Sequence, residues 1–290
     1  MHSFALVGLL WAILRISVPY VMATLGGTVC ERSGVINIAL EGILLLSALG
    51  TALGAPYGAA TALGAGLLAG LATALLYGLL VVVFRGDQIV CGVAIFMLAY
   101  GLSRFLLKVV FGSTSNSPRL EALVGNGPLW LLAAAAVSTL LLHGMIYYSV
   151  LGLRLRAVGD KPAAAQALSV SVLSVRMWAV GLSGLLTALG GVYLVFEQRQ
   201  FVALMSGGRG FLALAAMIFG GWRPLWGAAA ALLFATAEAT GIFLQARGLL
   251  IPNWLLQSVP YVLTLLTLMI RGLLGQKHST APLSLGIPRL

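Results

Sequence analysis

The sequence predicts an all-α, polytopic membrane bundle of roughly 8–10 transmembrane helical elements, some of them short or broken. Three observations predict it. Of 290 residues, 60% are apolar, only 8% are charged and the mean hydropathy is +1.05. A soluble domain carries about a quarter charged residues, so most of this surface faces something other than water. Apolar runs near the roughly 20-residue length of a membrane span follow one another from Leu6 to Leu274 with short connectors. Glycine is abundant, at 36 residues, with small-xxx-small spacings such as Gly66 to Gly70 and Gly184 to Ala188. Small residues let helix backbones approach where lipid offers no hydrophobic drive between helices.

The elements follow in order. Residues 3–30 carry Arg15, Pro19 and the Gly26-Gly27 pair, and read as two short helices. Segment 35–54 is slightly short for a span, whereas 57–84, 88–111, 128–150, 172–195, 224–245 and 253–273 are long enough. Residues 209–221 are apolar but short, between Gly207-Gly208 and Gly220-Gly221. That suits a half-helix enclosed by protein, since lipid cannot satisfy irregular backbone. The entry and apolar run at 209–221 also echo those at 33–49. One transmembrane domain over 1–274 and a tail over 275–290 account for the chain. Met1-His2-Ser3 lacks the basic start of a cleavable signal, so the first apolar segment is expected to stay.

The net charge of +10 does not point to nucleic acid, because the basic residues sit at segment ends rather than on one aromatic-rich face. Cytoplasmic loops enriched in Lys and Arg explain it. Taking 151–170 as cytoplasmic, with Arg154, Arg156 and Lys161 against Asp160, places 85–87, 221–224 and 275–290 on that side. The loops 112–127, 196–208 and 246–252 fall outside, and ten crossings put both termini in the cytoplasm. Cys30 and Cys91 lie in apolar segments and read as small core residues.

Three stretches carry chemistry. In the first, Glu31, Arg32, Ser33 and Gly34 stand where one apolar segment ends and another begins, followed by Asn37 and Glu41. Four residues apart, Asn37 and Glu41 share a helical face. Two readings fit: a pathway-lining face beside a helix break, or an interfacial charge with an interhelical hydrogen-bonding amide. In the second, Asp160 is placed to cap a short helix beginning at Lys161, with Pro162 in its first turn and Ala164 within it. This is either a rigid docking helix preceded by Arg154 and Arg156 or a solvated loop. The third runs Gly208-Arg209-Gly210-Phe211 into the short apolar segment.

Together these stretches resemble the permease subunits of bacterial ABC importers for simple sugars and nucleosides, within the ribose and branched-chain-amino-acid permease superfamily. The nucleoside-type branch is the nearest. Its E-R-S-G-V-x-N-x-x-x-E-G run matches Glu31 to Gly42, and its Asp-Gln before a helix matches Asp87-Gln88. Its G-L-x-x-R-A-V-G-x-x-P-x-A-A run matches Gly152 to Ala165, and its G-R-G-F-x-A-L-A run matches Gly208 to Ala215. The resemblance covers about residues 15–245. Ala39 stands where glycine is common, Lys161 where Asn is common, and Ser169 where glycine is usual.

The resemblance implies a permease that pairs with a second, identical or homologous permease in the bacterial inner membrane. Cytoplasmic ATP-binding subunits using ATP and Mg and an extracytoplasmic substrate-binding protein complete the importer, and no cofactor is bound by this chain. Arg154, Arg156, Gly159, Asp160, Lys161, Pro162 and Ala164 would form its ATPase-coupling region. Asn37, Glu41, Gln88 and Glu238 are the candidate pathway residues. No G-x-x-x-x-G-K-[ST] loop is present, so ATP hydrolysis is expected elsewhere. The alternative is an ion-coupled secondary carrier with Glu41 or Glu238 as the ion-binding carboxylate; the other reading of Glu238 is a buried, hydrogen-bonded group. An enzyme is disfavoured, because His2, His143 and His278 are isolated and no metal or nucleophile motif occurs.

Overall fold

Ten α-helices follow one another in the described part of the chain, without a β-strand. The computed structural model describes residues 2–123, 129–246, 258, 262, 265, 266, 269 and 281–287. The helices are α1 (His2–Arg32), α2 (Leu40–Gly54), α3 (Ala59–Gly78), α4 (Gln88–Phe111), α5 (Leu129–Tyr148), α6 (Val150–Asp160), α7 (Pro162–Ala167), α8 (Val172–Gln198), α9 (Arg209–Phe219) and α10 (Pro224–Ala246). Seven spans among the described residues, on α1–α5, α8 and α10, are long and apolar enough to cross a membrane. The chain is therefore a multi-pass membrane protein. Of the span expected at 253–273, only residues 258, 262, 265, 266 and 269 are among those described, each of them helical.

Helix α1 corrects the expectation of two short helices over 3–30. It runs unbroken for 31 residues through Pro19. Proline is tolerated inside a membrane helix when neighbouring helices satisfy the freed backbone, and here Pro19 packs against Gly190 of α8. The glycine pair also serves contact rather than breakage. A side chain on Gly26 would overlap Thr187 of α8, and one on Gly27 would press on Leu40 and Met217. Because α1 crosses once, its start lies about 46 Å from Arg32 at 1.5 Å per residue. Arg32 lies at the end that carries α6, α7 and residues 281–287. The expectation that both termini share one side is thus overturned.

Helix α8 is the axis of the bundle. In its most apolar window 83% of the residues are buried, against 22% for α4 and 28% for α5. The small-residue spacings create this centre. A methyl on Gly70 of α3 would overlap Ala188 of α8, and one on Gly184 of α8 would overlap Ala74 of α3. Gly66 stands equally close to Thr51 of α2. Helices α4 and α5 pack at the rim and expose large apolar residues such as Met97, Phe105, Val109, Leu140 and Leu141.

At the end opposite α6 and α7, the connectors after α4 and α8 meet in an isolated antiparallel bridge between Asn116 and Val202. Ser117 N donates to the Phe201 carbonyl (2.8 Å) and Ala203 N to that of Ser115 (2.7 Å). The two loops placed on one side by charge are joined there.

Candidate functional site

Between α1 and α2 the chain leaves helical geometry for residues 33–39. Gly34 turns it, at φ +89°, a conformation that favours glycine. Ser33 Oγ donates to the Cys30 carbonyl at 2.6 Å, closing the end of α1. Three neighbours hold the interrupted stretch. Arg176 of α8 donates through Nε to the Ser33 carbonyl (3.3 Å). Gln88 accepts from Ile36 N (2.7 Å), and Tyr77 donates to the Ile36 carbonyl. Asp87 sits one residue earlier and caps α4, accepting from the Ile89 and Val90 amides at 2.9 Å each.

The end of α1 is tied to the end of α9. Trp222 Nε1 donates to Glu31 Oε2 (2.7 Å), and Arg32 Nε donates to the Trp222 carbonyl (2.8 Å). Helix α9 has 11 residues, or about 16 Å, roughly half the hydrocarbon thickness. With its far end fixed beside Glu31 and Arg32, its N-terminus lies about halfway through the bundle.

At that depth the charges converge. Glu41, in the first turn of α2, accepts through Oε1 from Gly208 N (2.8 Å) and through Oε2 from Gly210 N (2.7 Å). A carboxylate on the first amides of a helix answers both their missing partners and the positive end of the dipole. Gly208, at φ +81°, shapes the entry, and Gly210 lets the two helix starts touch, since a side chain there would strike the Glu41 backbone. Arg209 Nη2 pairs with Glu238 Oε1 of α10, and Tyr20 Oη of α1 donates to Glu238 Oε2 at 2.7 Å. Arg209 also lies over the Tyr20 ring, 5.8 Å from its centroid.

Asn37 does not share a helical face with Glu41. It precedes the first residue of α2, Leu40, and its buried Nδ2 donates to Ser183 Oγ of α8 at 3.0 Å. The glycine turn delays the helix, so the i, i+4 relation fails. The structure thus brings Glu41, Arg209 and Glu238 into one assembly, and anchors Asn37 and Gln88 at separate points of the break.

The connector at 151–170 is two helices. Asp160 closes α6 rather than capping α7. Lys161 holds the N-cap position of α7 without a side-chain cap, and Pro162 occupies the first turn. The reason lies upstream: Ser149 caps α6, accepting from Gly152 N at 3.1 Å, so the helical register is set before Asp160. Arg154, Asp160, Lys161 and Ala164 are exposed. Arg156 lies over the Tyr147 ring, 5.5 Å from its centroid. Gly159 is buried directly against the Arg32 carbonyl. A groove of about 680 Å³ runs between α6–α7 and the segment at 281–283, with Arg32 and Leu168 among its lining residues.

Residues 9–268 match the family model for the branched-chain amino acid transport system permease component. The chain belongs to this permease family. The guanosine ABC transporter permease protein NupQ of Bacillus subtilis is 33% identical, over 96% of this chain and 94% of the relative. The nucleoside ABC transporter permease protein NupC of Lactococcus lactis is 30% identical, over 87% and 88%. The putative glucose ABC transporter permease protein TsgC13 of Haloferax volcanii is 30% identical, over 99% and 93%. No solved structure matches. The chain is the permease subunit of an ABC importer, a transport component rather than an enzyme. Such a permease works with ATP-binding and substrate-binding partners in general.

Several residues of the permease site escape sequence reading: Tyr20, Tyr77, Arg176, Ser183 and Trp222. Trp222 was within reach, since an indole beside Gly220-Gly221 at a helix end needs a hydrogen-bond acceptor when buried. Tyr77 and Ser183 sit inside unbroken apolar runs and give no signal.

Proposed function

We propose that the permease carries a small neutral solute of the nucleoside class inward, through a bundle whose moving parts are the α1–α2 break and the start of α9. The observation that carries this is the occupation of the interior carboxylates. Glu31, Glu41 and Glu238 each accept hydrogen bonds from protein donors. None is left to bind a coupling ion or a substrate ammonium, which disfavours the ion-coupled carrier and favours a solute recognised by hydrogen bonding alone. The names of the guanosine and nucleoside relatives support the same class. Asn37, Glu41, Gln88 and Glu238 act by setting the shape of the break that borders the path.

The partners follow from the surfaces. The exposed faces of α4 and α5 suit membrane lipid and a second permease, identical or homologous. Arg154, Asp160, Lys161 and Ala164 present the coupling surface to an ATP-binding subunit that uses ATP and Mg, while this chain binds no cofactor. The joined loops at the other end suit a substrate-binding protein, outside a bacterial inner membrane. Residues 1–274 act as one permease domain.

The test of the substrate class is competition for uptake by cells expressing the complete importer. Labelled guanosine uptake should be reduced by excess adenosine, inosine or uridine and not by glucose, ribose or leucine. Competition by a sugar and not by nucleosides would overturn the assignment.

A further inference from the structure

Residues 281–287, reached only after a long stretch of chain, lie against both mechanical elements of the site. Ser284 is 4% exposed. Its amide donates to the Gly159 carbonyl (2.9 Å) and its hydroxyl donates to the same oxygen (2.6 Å). Two residues on, Gly286 N donates to the Gly34 carbonyl at 3.2 Å. Leu283 N approaches Asp160 Oδ1 at 3.4 Å. One short segment therefore bonds the last turn of α6 and the glycine turn that ends α1.

Those two carbonyls need such donors. Gly159 lies in the last turn of a helix, where carbonyls lose their intrahelical partners. Gly34 lies in a turn enclosed by Arg176 and Ser33. The fit is close on both sides. A side chain on Gly34 would come within 2.7 Å of Ser284 Oγ, and one on Gly286 within 3.1 Å of Ile36 Cδ1. Gly286 takes φ +79°, so a side chain there is strained as well as crowded.

We propose that residues 281–287 form a strap that fastens the coupling helices to the α1–α2 break, with Ser284 as its positioning residue. This rests on the reading of α6 and α7 as the surface that receives the ATP-binding subunit. Movement imposed on α6 and α7 then reaches the break through the strap as well as through the packing of Gly159 on Arg32. Without the strap, the coupling helices still bind their partner, but their displacement is partly lost before it reaches the membrane helices.

The experiment uses the full-length permease purified with its ATP-binding subunit and the second permease, reconstituted in proteoliposomes and supplied with the substrate-binding protein on the side opposite α6 and α7. Solute moved per ATP hydrolysed is measured for the unsubstituted complex, Ser284→Ala and Gly286→Val. Both variants should assemble and hydrolyse ATP near the unsubstituted rate. Transport per ATP should fall about twofold to fivefold for Ser284→Ala and tenfold or more for Gly286→Val, since one loses a single donor and the other unseats the segment. An unchanged ratio in both variants would overturn the strap. In a second arm, Ala157→Cys and Leu283→Cys, which line the same groove, are bridged by a short thiol crosslinker. Transport retained after bridging supports one moving body; transport lost on bridging and restored by cleaving the crosslinker would show that the segment must detach, which overturns it. If the unsubstituted complex shows no ATP-dependent transport, the coupling reading itself fails, and the strap's role with it.

Discussion

Single residues in this permease show how a backbone conformation selects a side chain. Ser169 follows the short helix α7 at φ +61°, with its amide on the Gln166 carbonyl at 2.9 Å. That is a left-handed helix end, where glycine carries no Cβ penalty; the resemblance expected glycine there. Ser169→Gly should raise stability by about 1 kcal/mol, read as a higher unfolding midpoint of the purified permease in detergent. An unchanged or lower midpoint would refute the strain. Glu238 illustrates the opposite case, a charge that looks functional alone and proves to be paired. Its Arg209 and Tyr20 partners lie 29 and 218 residues away. Removing one member of such a half-buried pair leaves an uncompensated charge and costs more than removing both.

At the scale of elements, helix contacts are set by small residues, and their identities were legible. The spacings at Gly66–Gly70 and Gly184–Ala188 predicted close approach, and the structure places them against α2 and against each other across α3 and α8. Gly70→Ala puts a methyl into Ala188 and should destabilise the bundle by about 1–3 kcal/mol, seen as a lower unfolding midpoint. Ala188→Gly in the same chain should restore most of the loss; a double variant no better than the single one would contradict the contact. Apolar run length located α3, α4, α5, α8 and α10 well, because a span must be continuous and long. The same reasoning failed at α1, where Pro19 and Gly26-Gly27 signal breaks in an isolated helix. In the bundle they are the points at which α8 and α9 come close.

For the whole molecule, the order of motifs along the chain was enough to place it in its family, but not to say what each motif touches. Glu31, Arg32, Gly208 and Arg209 were recognisable as marking a break. That Glu31 meets Trp222 depends on a separation of 191 residues, and that Gly208 meets Glu41 on one of 167. Such pairings arise from the packing of several helices at once and leave no trace in local periodicity. Together they give a coherent machine: a break that runs from the α6–α7 end of the bundle to about its middle, meets paired charges there, and is tied at its outer end to helices that present a basic surface. In the proposed function, energy enters that machine at the basic surface, from ATP hydrolysis by a partner. The most direct measurement is solute accumulation by proteoliposomes containing the permease and its partners, with ATP on the side of α6 and α7 and ionophores collapsing all ion gradients. The account predicts accumulation that requires ATP and persists with the ionophores; accumulation that needs a gradient and ignores ATP would contradict it.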